Sequence, residues 1–489
     1  MRSILLAFAL SLAAFPLSAG EHWPQFRGPG GDGHSDATGL PLKWSETENI
    51  AWKVPVHDRG WSSPVVWGDQ VWATTATEDG KQMFAVCLDR ASGKIVHDVK
   101  VFDVEKPEHI ASINSYASPT PAIEAGRIYV HYGTYGTACL DTQSGKVLWT
   151  RRDLNCDHHE GPGSSPILLG NSLIVHVDGR DVQYVIALDK ATGKTVWKTD
   201  RSVDYSAYPA NTRKAFCTPI VIQTGGGQQL ISPGAKAVMA YDPLTGKELW
   251  KVRYNGWSVT PRPLFGHGMV FLVTDYEQPE LWAVRPDGRG DVTATNVAWK
   301  INKGVAAQPS SLLVRDLLYM VNDRGIAMAI EAKTGEVVWR ERLGGNYSAS
   351  PVYADGRLWF FSQEAVTTAI EPGRECKIVA VNRLEEQVMA SPAVAGKAFF
   401  LRTRTHLYRI EKAPAKIAPA GAPCNCDDAA EEKGTVPICA KHPSGRSGKW
   451  GLSPFLPSSL PYSTIFSSAP GWMFPCSTAG SAADLSALR

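Results

Sequence analysis

Leu188-Asp189-Lys190-Ala191-Thr192-Gly193-Lys194-Thr195-Val196-Trp197 decides how the whole chain is read, because it recurs. It returns as Leu140-Asp141-Thr142-Gln143-Ser144-Gly145-Lys146-Val147-Leu148-Trp149, as Tyr241-Asp242 through Thr245-Gly246-Lys247 to Trp250, and as Ile330-Glu331 through Thr334-Gly335-Glu336 to Trp339. A weaker copy runs from Leu88-Asp89 through Gly93-Lys94 to His97. Each copy reads as a strand ending at the acidic residue, a tight turn with Gly where φ must be positive, and a second strand ending at Trp. Repetition at this period has to be settled before any other feature is interpreted.

A second mark keeps step with the first. Ser63-Pro64, Ser118-Pro119, Ser165-Pro166, Thr218-Pro219, Thr260-Pro261, Gln308-Pro309, Ser350-Pro351 and Ser391-Pro392 each open a short apolar run, and successive prolines lie 41 to 55 residues apart. Proline is tolerated at the first residue of a strand. After each come a turn, such as Glu124-Ala125-Gly126, and an alternating run, such as Arg127-Ile128-Tyr129-Val130. The unit is therefore four antiparallel strands, and eight openings predict eight units: an all-β, eight-bladed β-propeller. The last unit lacks its fourth strand. Asn49-Ile50-Ala51-Trp52-Lys53-Val54 has the form of one, and is predicted to complete blade eight and so remove an unpaired edge.

The Asp, Thr-Gly-Lys and Trp pattern over roughly residues 44–412 resembles the PQQ-like repeat, or tryptophan-docking, family, found in eight-bladed quinoprotein alcohol dehydrogenases and in the outer-membrane assembly factor BamB. The resemblance implies that Trp52, Trp149, Trp197, Trp250, Trp299 and Trp339 pack between adjacent blades. Two roles follow from it: BamB-like protein binding, or a dehydrogenase with PQQ and calcium in the channel. A PQQ enzyme needs calcium held by carboxylate and amide oxygens, a catalytic Asp and a Trp floor. No segment matches those motifs residue by residue, and the vicinal Cys-Cys of such enzymes is missing. PQQ with calcium thus rests on the resemblance alone, and no cofactor is expected.

The ends differ from the middle. Met1-Arg2-Ser3, the apolar stretch 4–17 and Leu17-Ser18-Ala19-Gly20 read as a secretory signal peptide, residues 1–20, which predicts an exported protein of the periplasm or cell envelope. Glu21 stands where a lipoprotein would carry its Cys, so a soluble form without a transmembrane segment is expected after cleavage. Residues 21–48, with Trp23-Pro24-Gln25-Phe26-Arg27-Gly28, read as ordered coil tied across the propeller of residues 49–412. The Pro-, Ser- and Ala-rich residues 413–489 read as a disordered tail, with Cys424, Cys426, Cys439 and His442 a loose zinc-like set. Cys87 and Cys139 occupy the place taken by Ala187, Ala240 and Ala329, a cramped packing position. With 50 basic and 48 acidic side chains in 489 residues, nothing points to nucleic acid. A monomer is expected.

Chemistry belongs where the connections between blades converge, because loops on a rigid scaffold carry binding residues. These connections are polar, and the candidates are His57, Arg59, Trp61, Asn114, Asp157, His158, His159, Glu160, Arg213, Trp257, Asn346 and Tyr347. His158, His159 and Glu160 have metal-ligand or general-base character; in a single loop they serve equally as solvated charge. Arg59 and Arg213 suit a carboxylate, or a backbone carbonyl. Trp61, Trp257 and Tyr347 offer a stacking floor, or cap the channel. No catalytic residue is assigned. The expected function is a non-catalytic binding or assembly scaffold that holds a protein or extracellular ligand on this face. The alternatives are a PQQ- or metal-dependent oxidoreductase and a metal-dependent hydrolase or lyase.

Overall fold

The computed structural model describes residues 20–413; the bulk of the expected leader and tail, with the Cys424 to His442 set, lies outside them. Eight sheets follow one another as blades over residues 65–103, 122–151, 167–200, 220–253, 264–301, 312–342, 352–383 and 393–411. Every first strand begins within three residues of its marker proline. Ile50–Pro55 pairs antiparallel with His406–Glu411 and supplies the fourth strand of blade eight, as predicted. All turns between third and fourth strands share one rim of the ring, the turn face. All connections from one blade to the next share the other, the loop face.

The repeated sentence explains the joints between blades. In the turn, the Gly193 N–H donates to the Asp189 carbonyl at 2.8 Å, and the Asp189 carboxylate accepts from the Thr192 N–H and hydroxyl. The Thr192 hydroxyl and these N–H groups hold that carboxyl below its ordinary pKa. Gly193 has φ +71°, and a Cβ there would lie 2.7 Å from the Trp149 ring of the preceding blade. Glycine is thus required twice, by conformation and by space. The Trp149 Nε1–H donates to the carbonyl of Lys190, the residue after the acid. Trp52, Trp197 and Trp299 make the same bond to Arg90, Pro243 and Ala332, and Trp339 bonds Gly373.

Across each blade the Trp stands opposite the Ala or Cys position, as in Ala187↔Trp197 and Cys139↔Trp149, with a register shift just after it. A larger residue there would push the indole out of its joint. Cys87 and Cys139 are fully buried, and burial drives Cys139 up to about 12.

Three joints depart from the rule. In blade seven Ala380 stands opposite Ala369 where the Trp would be, and Trp44 packs on Trp359 and Phe399 instead. Blade one has His97 in the Trp position, and its Nε2 still faces the Thr142 carbonyl at 3.2 Å while the ring stacks on Trp72. Blade five replaces the tight turn with a longer excursion, and its Gly290–Asp291 pairs parallel to Glu248–Arg253 of blade four. Trp250 therefore has no turn to meet. It packs against Val284 and Val292 of blade five and donates to Gln229 Oε1, while Gln229 Nε2 reaches the Pro286 carbonyl.

Residues 21–48 contain isolated bridges only. Trp23 exchanges backbone bonds with Val66 of blade one, and the Pro24 carbonyl accepts from Ile123 of blade two. Arg27, 1% exposed, donates to the carbonyls of Asp32, Ser311 and Pro351, and Arg262 of blade five donates to the Phe26 carbonyl. The segment therefore bridges blades one, two, five, six and seven, and forms a floor across the central channel.

Candidate functional site: a hydroxyl-lined funnel

Above this floor a cavity of about 600 Å³ opens toward the loop face. Its wall includes Ser63, Ser118, Ser165, Thr218, Thr260, Gln308, Ser350 and Ser391, the residue before the marker proline in all eight blades, with Phe26 among the lining groups. Radial repetition thus makes a ring of hydroxyls and one amide: in blades one, three, four, seven and eight these residues stand two before the first strand, and in blades two, five and six four before it, where Thr120, Arg262 and Ser310 take the nearer place. Each blade's first strand starts at the channel, so the residue before the proline faces the axis.

The ring is also a joint. Ser63 N–H donates to Thr120 Oγ1 of the next blade, Thr120 N–H to Ser165 Oγ, and Ser165 N–H to Thr218 Oγ1, at 2.9 to 3.0 Å. On the other half, Arg262 N–H donates to Ser310 Oγ, Ser310 N–H to Ser350 Oγ, and Ser350 N–H to Ser391 Oγ. Backbone N–H groups that proline-rich strand starts would leave buried are thereby satisfied. Between blades eight and one the link is made by Arg402, which donates to Ser62 Oγ and the Thr74 carbonyl; burial lowers its guanidinium to about 10.

Of the residues singled out in the sequence, Trp61, Asn114, Glu160 and Trp257 line the funnel. Asn114 bolts the wall together: its Nδ2 donates to the Glu160 and Pro162 carbonyls, and its Oδ1 accepts from Ser115 N–H and Ser118 Oγ. Trp61 lies under the Arg59 guanidinium, and Trp257 under the Lys236 ammonium at 4.6 Å.

The others stand apart from it. His57 lies between Asp58 and Asp98; although burial opposes it, these carboxylates hold the imidazole above its ordinary pKa. Arg59 and Arg213 bond the backbone carbonyls of Ser112 and Tyr208. Asn346 binds Glu364, and Tyr347 is buried.

The run from Asp157 to Glu160 is dispersed. Asp157 pairs with Arg180 at 2.6 Å. His158 turns inward, accepts from the Thr134 N–H at Nε2, and is lowered to about 4 by burial. His159 has φ +61°, which rotates the next residue away, and Glu160 pairs with Lys214 at the funnel wall. Among the described residues, no group of three or more His, Cys, Asp or Glu is placed to hold a metal ion.

Sequence reasoning missed Lys214, Phe216, Tyr276 and the hydroxyl ring. The ring had a signal: Ser or Thr before seven of eight marker prolines, a preference that proline itself does not impose. A second, more polar cavity of about 840 Å³ lies off the axis between blades four and five, lined by Tyr208, Lys236 and Trp282 and sharing Glu277 with the funnel.

Residues 43–184 and 181–418 match the protein family described as outer membrane protein assembly factor BamB. No curated protein sequence matches the chain. Among solved structures it is similar to BamB from Moraxella catarrhalis (TM-score 0.53, 13% identity, 75% of this chain and 98% of that one). It is also similar to a europium-containing methanol dehydrogenase (TM-score 0.59, 12% identity, 79% and 90%). The computationally designed Ika8 protein is a third (TM-score 0.53, 9% identity, 74% and 99%). At these identities the likeness is one of fold.

Proposed function

The chain belongs to the family of outer membrane protein assembly factor BamB, and from that premise we propose that it is a non-catalytic binding scaffold of the cell envelope, exported by residues 1–20, that holds a protein partner on its loop face. The observation that carries this reading is the funnel: a rigid, concave mouth to which all eight blades contribute, walled by side chains that hold one another. Partly exposed aromatic groups at its rim, Trp61, Trp257 and Tyr276, are the kind of anchor that protein interfaces use.

PQQ with calcium suits these residues poorly. PQQ is a tricarboxylate, and the one ammonium in the lining, Lys214, is already 3.2 Å from Glu160 Oε1 and 2.6 Å from the Asn211 carbonyl. No arginine lines the wall, and the amide of Asn114 has no oxygen left for a cation.

A photo-crosslinking residue placed at Ile113, 53% exposed on the loop face, tests the reading against one at Leu244, 75% exposed in a turn of the opposite face. In envelopes of the native cell, position 113 is expected to capture a discrete partner and position 244 not. Equal capture at both, or none from folded protein, counts against a loop-face scaffold.

A further inference from the structure

The deep hydrogen-bonding groups of the funnel are hydroxyls. Thr120, Ser165, Thr218, Ser350 and Ser391 each accept a backbone N–H from a neighbouring blade. What each still offers the cavity is its O–H, with one lone pair left beside it. Ser63, also in the wall, contributes a sixth hydroxyl through a side chain that holds no neighbour. All six residues are at least nine-tenths buried, so these donors sit in the deep part of the funnel and not on its rim. The amide oxygens of the wall are already engaged. Gln308 Oε1 is taken by Ser348, Asn114 Oδ1 by Ser115 and Ser118, and the buried oxygen without a partner is Glu160 Oε2.

A buried polar group gains only when its complement arrives. A ligand that brings many N–H or O–H groups would lose their hydration here and share the carboxylates of Glu160 and Glu277 and the lone pairs left on the hydroxyls. A ligand rich in acceptors and poor in donors meets six O–H groups. Charge narrows the choice: the ionic side chains of the wall are Lys214, Glu160 and Glu277, one positive and two negative. The surplus of negative charge does not favour an anion, and Arg27 and Arg262 below direct their donors at backbone carbonyls. Around the donors stand Trp61, Phe216, Trp257 and Tyr276.

We propose that the funnel takes a proline-rich segment of the partner. This rests on the scaffold reading and names its ligand. A proline residue presents a carbonyl acceptor with no N–H to satisfy, and its flat apolar ring packs on Trp and Tyr, the pairing by which aromatic-lined grooves read polyproline helices. Occasional non-proline residues would place an N–H at Glu160 Oε2.

Isothermal titration calorimetry on the whole exported protein tests it, with end-blocked decaproline as the probe. A glycine-serine decapeptide, cellohexaose and inorganic phosphate are the comparisons. Decaproline is expected to bind at least tenfold more tightly than each of them. Ser63→Ala, which removes a hydroxyl that holds no other part of the protein, should weaken it by roughly three- to tenfold. Tyr276→Ala, at an exposed rim position, should weaken it further, both variants melting like the parent protein. No decaproline heat below about 1 mM, or equal or tighter binding of the sugar, the phosphate or the glycine-serine peptide, overturns the assignment. If it fails while position 113 still captures a partner, the ligand class falls and the scaffold stands. If capture also fails, both fall.

Discussion

The two faces of this ring are built by different rules. On the turn face, one local sentence is used again and again: the acid closes the turn, glycine clears a path for the neighbouring indole, and the indole donates to the next carbonyl. On the loop face no two connections are alike, and position is decided by bonds between segments far apart in sequence, such as Asn114 to the Glu160 carbonyl and Lys214 to Glu160. The turn face holds the ring together whatever the ring does.

Acid should separate the faces most strongly. Burial lowers His131 to about 3 and His158 to about 4, both near the loop face of blades two and three. Above pH 6.5 these imidazoles are neutral folded or unfolded, and nothing is lost. Between pH 6.5 and 4 the unfolded chain takes up protons that the folded chain refuses, so stability falls as pH falls, by on the order of 3 kcal/mol for His158 alone. Melting temperature measured from pH 7 to pH 4.5 should show this slope, and His158→Gln should make it shallower, with the part due to His131 remaining. A flat profile for the parent protein would mean that His158 is not buried as described.

Glycine on the turn face comes next. Gly193→Ala meets both a positive φ and the Trp149 ring, for a loss of about 2–3 kcal/mol. Gly126→Ala has φ +79° but nothing within 4 Å, so only the conformational cost of about 1 kcal/mol applies. Denaturant midpoints of the pair isolate the indole contact, and equal losses would show that it contributes nothing. The smallest effect is a gain. His97→Trp would restore the regular joint over Gly145 and add about 1 kcal/mol; a loss instead would show that Trp72 already fills that joint.

The same division governs what could be read in advance. Eight marker prolines located eight blades, and Trp52 identified the closing strand, because these features obey short-range rules that repeat. Trp250 sits at its joint without the regular bond, since the exception lies in blade five's longer connection and not in its own surroundings. The candidate site was legible in part. Trp61, Trp257, Asn114 and Glu160 reach the funnel, whereas Asp157, His158 and His159 scatter because one left-handed residue separates neighbours that look clustered in print. Serine and threonine before proline were visible as punctuation, and only the closing of the circle makes them a lining.

That circle also imposes a schedule. Ile50 pairs with Ile410, so the first strand of the described residues waits for the last of them before it has a neighbour. Until then the lengthening chain has a bare strand at its growing end and another at its beginning, each able to pair with the wrong molecule. A contact spanning so much sequence forms slowly. The latch that gives the finished ring no loose end therefore leaves the unfinished one with two, and the protein is at its most vulnerable in the interval before residues 406–411 arrive.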